Sequence, residues 1–127
     1  MEMRKLVIVF LLASIFIMPV AGLQKREQVP TISITTPQKG NLYVMGAQIV
    51  WLPFDWTLII GPITIRAEVS GVEHPIVKFY IDGTQKFVDP LPPFEYPWWD
   101  LCFGRHVIKV ELVDYGVEDS VRVFKIL

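Results

Sequence analysis

The sequence has a single cysteine, Cys102, and only two histidines, His74 and His106. One thiol cannot close a disulfide within the chain, so the domain must be held by its core in whatever compartment it occupies. A zinc site needs three or four placed ligands, which two separated histidines do not supply. Nucleophilic catalysis needs a base oriented beside the nucleophile. Cys102 precedes His106 closely, but nothing in the sequence orients that pair. Calcium wants clustered oxygens. Asp114, Glu118 and Asp119 fall in one expected turn without EF-hand spacing, so they read as a solvated charged turn. No catalytic residue, metal or cofactor is therefore expected, and the chain does not read as an enzyme. An excess of one charge is also missing: 12 basic residues meet 13 acidic ones, for a net charge of -1. That balance excludes a nucleic-acid partner, which needs a basic patch to neutralise phosphates. It also excludes strong electrostatic attachment to anionic lipid.

What the chain does have is apolar surface. It is 127 residues long, 52% hydrophobic, with a mean hydropathy of +0.42. The length suits one ordinary domain, not two. Much of the apolar excess sits in residues 1–23. Arg4-Lys5 precedes a run from Leu6 to Gly22, interrupted by Ser14 and Pro19, and Val20-Ala21-Gly22 ends it with small residues. Charged start, apolar middle and small end are the layout of a secretory signal peptide. An uncleaved hydrophobic helix is the competing reading. At 1.5 Å per residue the run spans roughly 26 Å, just short of the ~30 Å hydrocarbon core. A buried core helix is the third. The first two deliver the rest of the chain outside the cytoplasm, secreted or tethered to the membrane at the cell surface. Residues 24–28 read as a polar linker and residues 29–127 as the domain.

The domain reads as strands. Val77, Phe79 and Ile81 alternate with Lys78, Tyr80 and Asp82, a period of 2 that marks a strand with one face in a core. Asp82-Gly83 supplies the φ > 0 that a tight hairpin needs, and Lys86-Phe87-Val88 can return antiparallel. Asp82 requires no role beyond that turn. Ile32 and Ile34 alternate inside flanking prolines, as in an edge strand. Leu42–Met45 reads as a short continuation of that edge. Thr57–Ser70 is the longest strand candidate, with Ile65 on the buried parity and Gly61-Pro62 a kink rather than a break. Leu101–Gly104 and Tyr115–Asp119 read as turns. Between them Ile108 and Val110 share the apolar face of Arg105–Val113 with His106. A last strand runs from Ser120 to Leu127. About seven strands with no helix after the first segment imply an all-β, antiparallel β-sandwich.

The aromatics are the best functional lead. Gly46–Trp56 holds Trp51, Phe54 and Trp56 around Pro53, too apolar for an ordinary surface loop. It either folds back over the open end of the core or stands out as an apolar tip for a partner or membrane. Trp98 and Trp99 cannot both point inward on a regular strand. Trp98 is expected in the core with Phe79 and Ile81, and Trp99 outside. Trp51, Phe54, Trp56 and Trp99 form the candidate binding surface, for protein docking or for stacking a sugar.

Several of these runs resemble a known pattern. Val77-Lys78-Phe79-Tyr80-Ile81-Asp82-Gly83, Pro93-Phe94-Glu95-Tyr96, Trp98 or Trp99 with Asp100, and His106-Val107-Ile108-Lys109-Val110 with Asp114 resemble the bacterial and archaeal Ig-like domains. Those carry a V-x-F-Y-I-D-G … P-Y-x-[YW]-x-W-D … G-x-H-x-I-x-V-x-A-x-D pattern. Gly40-Asn41-Leu42-Tyr43 and Ile59–Ile65 are similar to an archaeal branch of exported proteins. The resemblance covers residues 29–127. It implies an Ig-like fold and a non-catalytic place in a cell-surface or secreted protein: spacer, adhesion module or carbohydrate-associated module. The implied partners are another surface or envelope protein, a second copy of the chain, or a glycan. The first segment adds membrane contact if it is uncleaved. Trp98-Trp99 departs from the pattern by one added residue. Asp114-Tyr115-Gly116 departs by lacking a Gly-Asn turn.

Overall fold

A computed structural model describes residues 28–127, which form ten strands and no helix. The expected leader or anchor over 1–23, and all but the last residue of the expected linker, lie outside the described residues. The strands are β1 (Thr31–Thr36), β2 (Asn41–Val44), β3 (Ala47–Trp51), β4 (Leu58–Ile60), β5 (Ile63–Ser70), β6 (Val77–Ile81), β7 (Thr84–Asp89), β8 (Phe94–Trp98), β9 (Phe103–Leu112) and β10 (Val117–Ile126). They make two sheets, ordered β1-β5-β8 and β3-β2-β4-β10-β9-β6-β7. The domain is an all-β sandwich, with the core between the inner faces of the two sheets.

The strands with strict alternation bury one parity. In β5, Ile63, Ile65 and Ala67 are buried while Arg66 and Glu68 are exposed; in β6, Val77, Phe79 and Ile81 are buried. Ile108 and Val110 of β9 and Trp98 of β8 complete the core between the sheets. Asp82-Gly83 joins β6 to β7 with φ of 52° and 84°, both central residues in the left-handed region, as a two-residue type I′ turn requires.

Several expectations need correction. The sandwich has ten strands rather than about seven, because the segment 41–60 contributes three short ones that lack a clear period. The larger sheet is mixed, not antiparallel: β4 runs parallel to both β2 and β10. And Gly61-Pro62 is a break rather than a kink. β4 and β5 lie in different sheets, and the chain crosses between them at Gly61, where φ is +88°. A side chain there is doubly disfavoured, since a Cβ would sit 2.6 Å from Met45 Sδ.

The same crossing moves Leu42–Met45 out of the β1 edge. Those residues belong to β2, in the other sheet. Two expected turns are also shorter than read, since β9 begins at Phe103 and β10 at Val117.

Candidate functional site

The segment that sequence reading treats as a loop begins with a strand. Met45-Gly46 forms a second tight turn, with φ of 52° and 87°. It returns the chain as β3, paired antiparallel with β2. All five β3 residues, Ala47-Gln48-Ile49-Val50-Trp51, are exposed. β3 ends its sheet, so its outer row of main-chain groups meets no strand among the described residues.

The domain's other edges are guarded by the usual devices. β1 lies between Pro30 and Pro37, and β8 carries Pro97. β7 carries Lys86 and Asp89, and its Phe87 stacks on Tyr96 with ring centres 6.0 Å apart. β1, β3 and β7 each hold a bulge, marked by a skip in register at Thr35, Ile49 and Lys86. β3 is the one described edge with neither a charge in the strand nor a proline in it or directly flanking it.

Beyond Trp51 the chain loops through Phe54 and Trp56 back to β4. The loop is pinned at both ends. Leu52 N–H donates to Gly40 O (2.7 Å), and the buried Thr57 hydroxyl accepts from Gly40 N–H (2.9 Å). Phe54 meets Trp56 edge-on, with ring centres 6.2 Å apart and planes at 88°. Trp56 in turn lies 6.3 Å from Phe124, tilted by 32°.

Trp56 forms one wall of a groove of about 440 Å³ on the outer face of the larger sheet. The floor is set by the β9–β10 register. Arg105 stands opposite Phe124 and Val107 opposite Arg122, which makes a checkerboard of cations and apolar groups. The Asp82 turn forms the far side.

That turn is stapled to β9. Asp82 Oδ2 lies 2.6 Å from His106 Nδ1, Asp82 Oδ1 accepts from Val107 N–H (2.8 Å), and Asp82 N–H donates to Val107 O (2.9 Å). Asp82 therefore has a role beyond turn geometry, contrary to the sequence reading. Partial burial opposes its ionisation. The hydrogen bonds from His106 and Val107, with the charges of His106 and Lys86, outweigh that cost and hold the carboxyl below its ordinary value.

Behind the staple, His106 packs edge-on against Trp98 (5.5 Å, 82°), and its Nε2 is buried without a protein partner. Lys125 is fully buried in the same corner. Its Nζ donates to Asp100 O (2.9 Å) and Leu127 O (2.6 Å) and sits 5.1 Å from the centre of the Trp98 ring. Sequence reading missed Lys125, although its parity with Val121 and Val123 puts it on the inner face.

Cys102 and His106 do not act as a pair. The thiol donates to Asp100 O (3.7 Å) while His106 is held by Asp82. Burial pushes the Cys102 thiol above its ordinary value, with a partial offset from the Lys125 charge. The acidic residues expected in one turn are separated. Asp119 lies within β10 and accepts from Ile34 N–H (2.8 Å), and Glu118 faces Lys109 (3.8 Å). Among the described residues no group of three or more His, Cys, Asp or Glu is placed to hold a metal ion.

The candidate aromatics are thus split. Trp51 ends the open edge, Phe54 and Trp56 touch in the loop, and all three are exposed. Trp99, 68% exposed, stands in the separate connection before β9, where Leu101 is also exposed, as is Phe103 at the start of β9; its neighbour Trp98 is 1% exposed. Arg105, Arg122 and Phe124 were not singled out from sequence. Phe124 left a signal, since it shares the wet parity of Ser120 and Arg122.

No family model matches the chain, and no curated protein does. Among solved structures, the fold is similar to one described as "Structures of Clostridium thermocellum CbhA fibronectin(III)-like modules", at 27% identity and a TM-score of 0.54. The match covers 80% of this chain and 49% of that one, so the chain spans about half the length of that structure. A fibronectin(III)-like module is an Ig-like sandwich, and the described domain shares that architecture.

Proposed function

We propose that residues 29–127 form a non-catalytic Ig-like domain of an exported cell-surface or envelope protein. It joins another such protein, or a second copy of itself, by adding a strand at β3. The carrying observation is the β3 edge: five uncharged, exposed residues whose outer row of main-chain groups meets no strand among the described residues. An extended segment laid there gains backbone hydrogen bonds, and the side chains of Ile49, Val50 and Trp51 supply selectivity. A second copy meets no like-charge repulsion, since Ala47–Trp51 carries no charge. Export is supported by Arg4-Lys5 and the apolar run that follows it. A module-like role is in keeping with the likeness to fibronectin(III)-like modules.

Site-specific photo-crosslinking in cells that make the protein tests the reading. A crosslinker at position 49 is expected to trap a discrete partner or a dimer, while one at position 88 on the opposite edge traps none. Equal trapping from both positions, or none from position 49, overturns it.

A second reading, glycan binding, is favoured by the groove beside Trp56, which mixes aromatic rings with charged hydrogen-bonding groups. Phe54 and Trp56 are perpendicular, so these rings do not form a flat platform. On this reading a single ring, Trp56, stacks the sugar and the groove holds it. Tryptophan fluorescence unchanged across a glycan panel would sink this reading.

A further inference from the structure

We infer that the groove selects a carboxylate-bearing sugar residue, of the uronate class, and clamps its carboxylate with Arg105 and Arg122. The inference rests on the glycan reading of the same groove and adds the chemical class of the ligand.

The starting observation is where the cations are left free. Arg66, Lys86 and Lys109 each face a carboxylate: Glu95 at 2.8 Å, Asp100 at 3.6 Å and Glu118 at 3.8 Å. Among the described residues, Arg105 and Arg122, like Lys39 and Lys78, belong to no ion pair, and of these four the two arginines line this groove. The register makes them diagonal neighbours on one face, since Arg105 opposes Phe124 and Arg122 opposes Val107. Diagonal positions on adjacent strands lie roughly 7–8 Å apart, within reach of long side chains converging on one group. A guanidinium matches a carboxylate with two parallel N–H donors.

The lining also holds two carboxylates, Asp55 and Asp82, which balance the two arginines in formal charge, so selectivity rests on which donors are free to reach a ligand. Asp82 turns both carboxylate oxygens to His106 and the Val107 N–H. That leaves Asp55, whose oxygens can accept from ligand hydroxyls. Trp56 and Phe124 offer ring faces for the apolar side of a pyranose. Carboxylate, hydroxyls and an apolar ring face each meet a matching group, which is the inventory of a uronate.

An acidic peptide fits less well. Extended peptides bind by main-chain pairing at an edge. Here the floor is β9 and β10, whose main-chain groups are already paired with each other and with β6 and β4.

Calorimetric titration of the full chain tests the proposal, with oligogalacturonate, neutral oligogalactose of equal length, a sulfated oligosaccharide and hexaglutamate as probes. Oligogalacturonate is expected to bind roughly tenfold or more tighter than the neutral sugar. Arg105→Gln and Arg122→Gln are each expected to remove most of that preference while thermal unfolding stays unchanged. Trp56→Ala is expected to weaken both sugars. Equal binding of acidic and neutral sugars overturns the carboxylate clamp and leaves the glycan reading standing. Tighter binding of the sulfated sugar also overturns the clamp. Binding of hexaglutamate alone, or of no probe, overturns both.

Discussion

Around Trp98, Lys125 gives its ammonium protons to two main-chain oxygens, and Asp82 pairs with His106 and Val107. Along β3, by contrast, the outer main-chain groups meet no strand and apolar side chains face water on both sides. The corner puts its polar groups to work inside the fold, fixing a hairpin, a connection and a buried ring against each other. The edge contributes little to the core, and its outer bonding groups meet no strand of the described domain. A domain without disulfides has to stabilise itself somewhere, and it does so away from the surface it presents.

If that division is right, substitutions in the corner cost stability and spare docking, and those on the edge do the reverse. The largest effect is expected from Trp98→Ala, which empties the corner and costs roughly 3–5 kcal/mol in urea unfolding. Trp99→Ala, one residue away and exposed, is expected to stay within about 0.5 kcal/mol. Equal losses at the two positions would break the comparison.

Lys125→Ala removes charge-assisted hydrogen bonds and is expected to cost roughly 1.5–3 kcal/mol. Lys125→Met keeps the stem without the donors. A Met variant as stable as wild type would show that the stem alone holds the corner.

Ile49→Lys places a charge on the open edge. Crosslinking or association through β3 is expected to fall roughly tenfold or more, about 1.4 kcal/mol. Its unfolding midpoint is expected to match wild type, and an unfolding midpoint that moves instead would put Ile49 in the fold rather than in recognition.

The smallest effect concerns Asp82. Its folded pKa is depressed, so its contribution to stability is complete above the unfolded Asp value of about 3.9 and is lost as pH falls through the lower folded value. Asp82→Asn preserves a residue that tolerates φ > 0 but loses the charge. It is expected to cost about 1 kcal/mol at pH 7. It should also flatten the acid limb of the stability profile below about pH 4. An unchanged acid limb would remove the staple from the account.

Legibility in the sequence follows the same division. β5, β6 and β9 were readable because one face is buried and the other wet, so the period of 2 is printed in the residues. Asp82-Gly83 was readable because both residues suit left-handed φ. β3 was not, for two physical reasons. Both of its faces are exposed, so burial imposes no alternation, and its turn places Met45 at φ 52° where Asn or Asp is the usual signal. The loop aromatics were flagged by composition alone, as too apolar for solvent. Arg105 and Arg122 were not, because nothing local distinguishes them from ordinary surface residues; Phe124 was passed over although its wet parity marks it.

The sequence by itself determined the local matters: the alternating strands, the Asp82-Gly83 turn, the core residues Ile65, Phe79, Ile81, Ile108 and Val110, and the inward parity that carries Lys125. These depend on neighbours a few positions away. Tertiary structure decided that Trp98 rather than Trp99 is buried, that β4 and β5 part into different sheets, that β3 is left as an exposed edge, and that two arginines from separate strands line one groove with Trp56. Each is a matter of pairing between distant segments, and register between strands is set by which faces and edges meet, not by any one segment's own pattern.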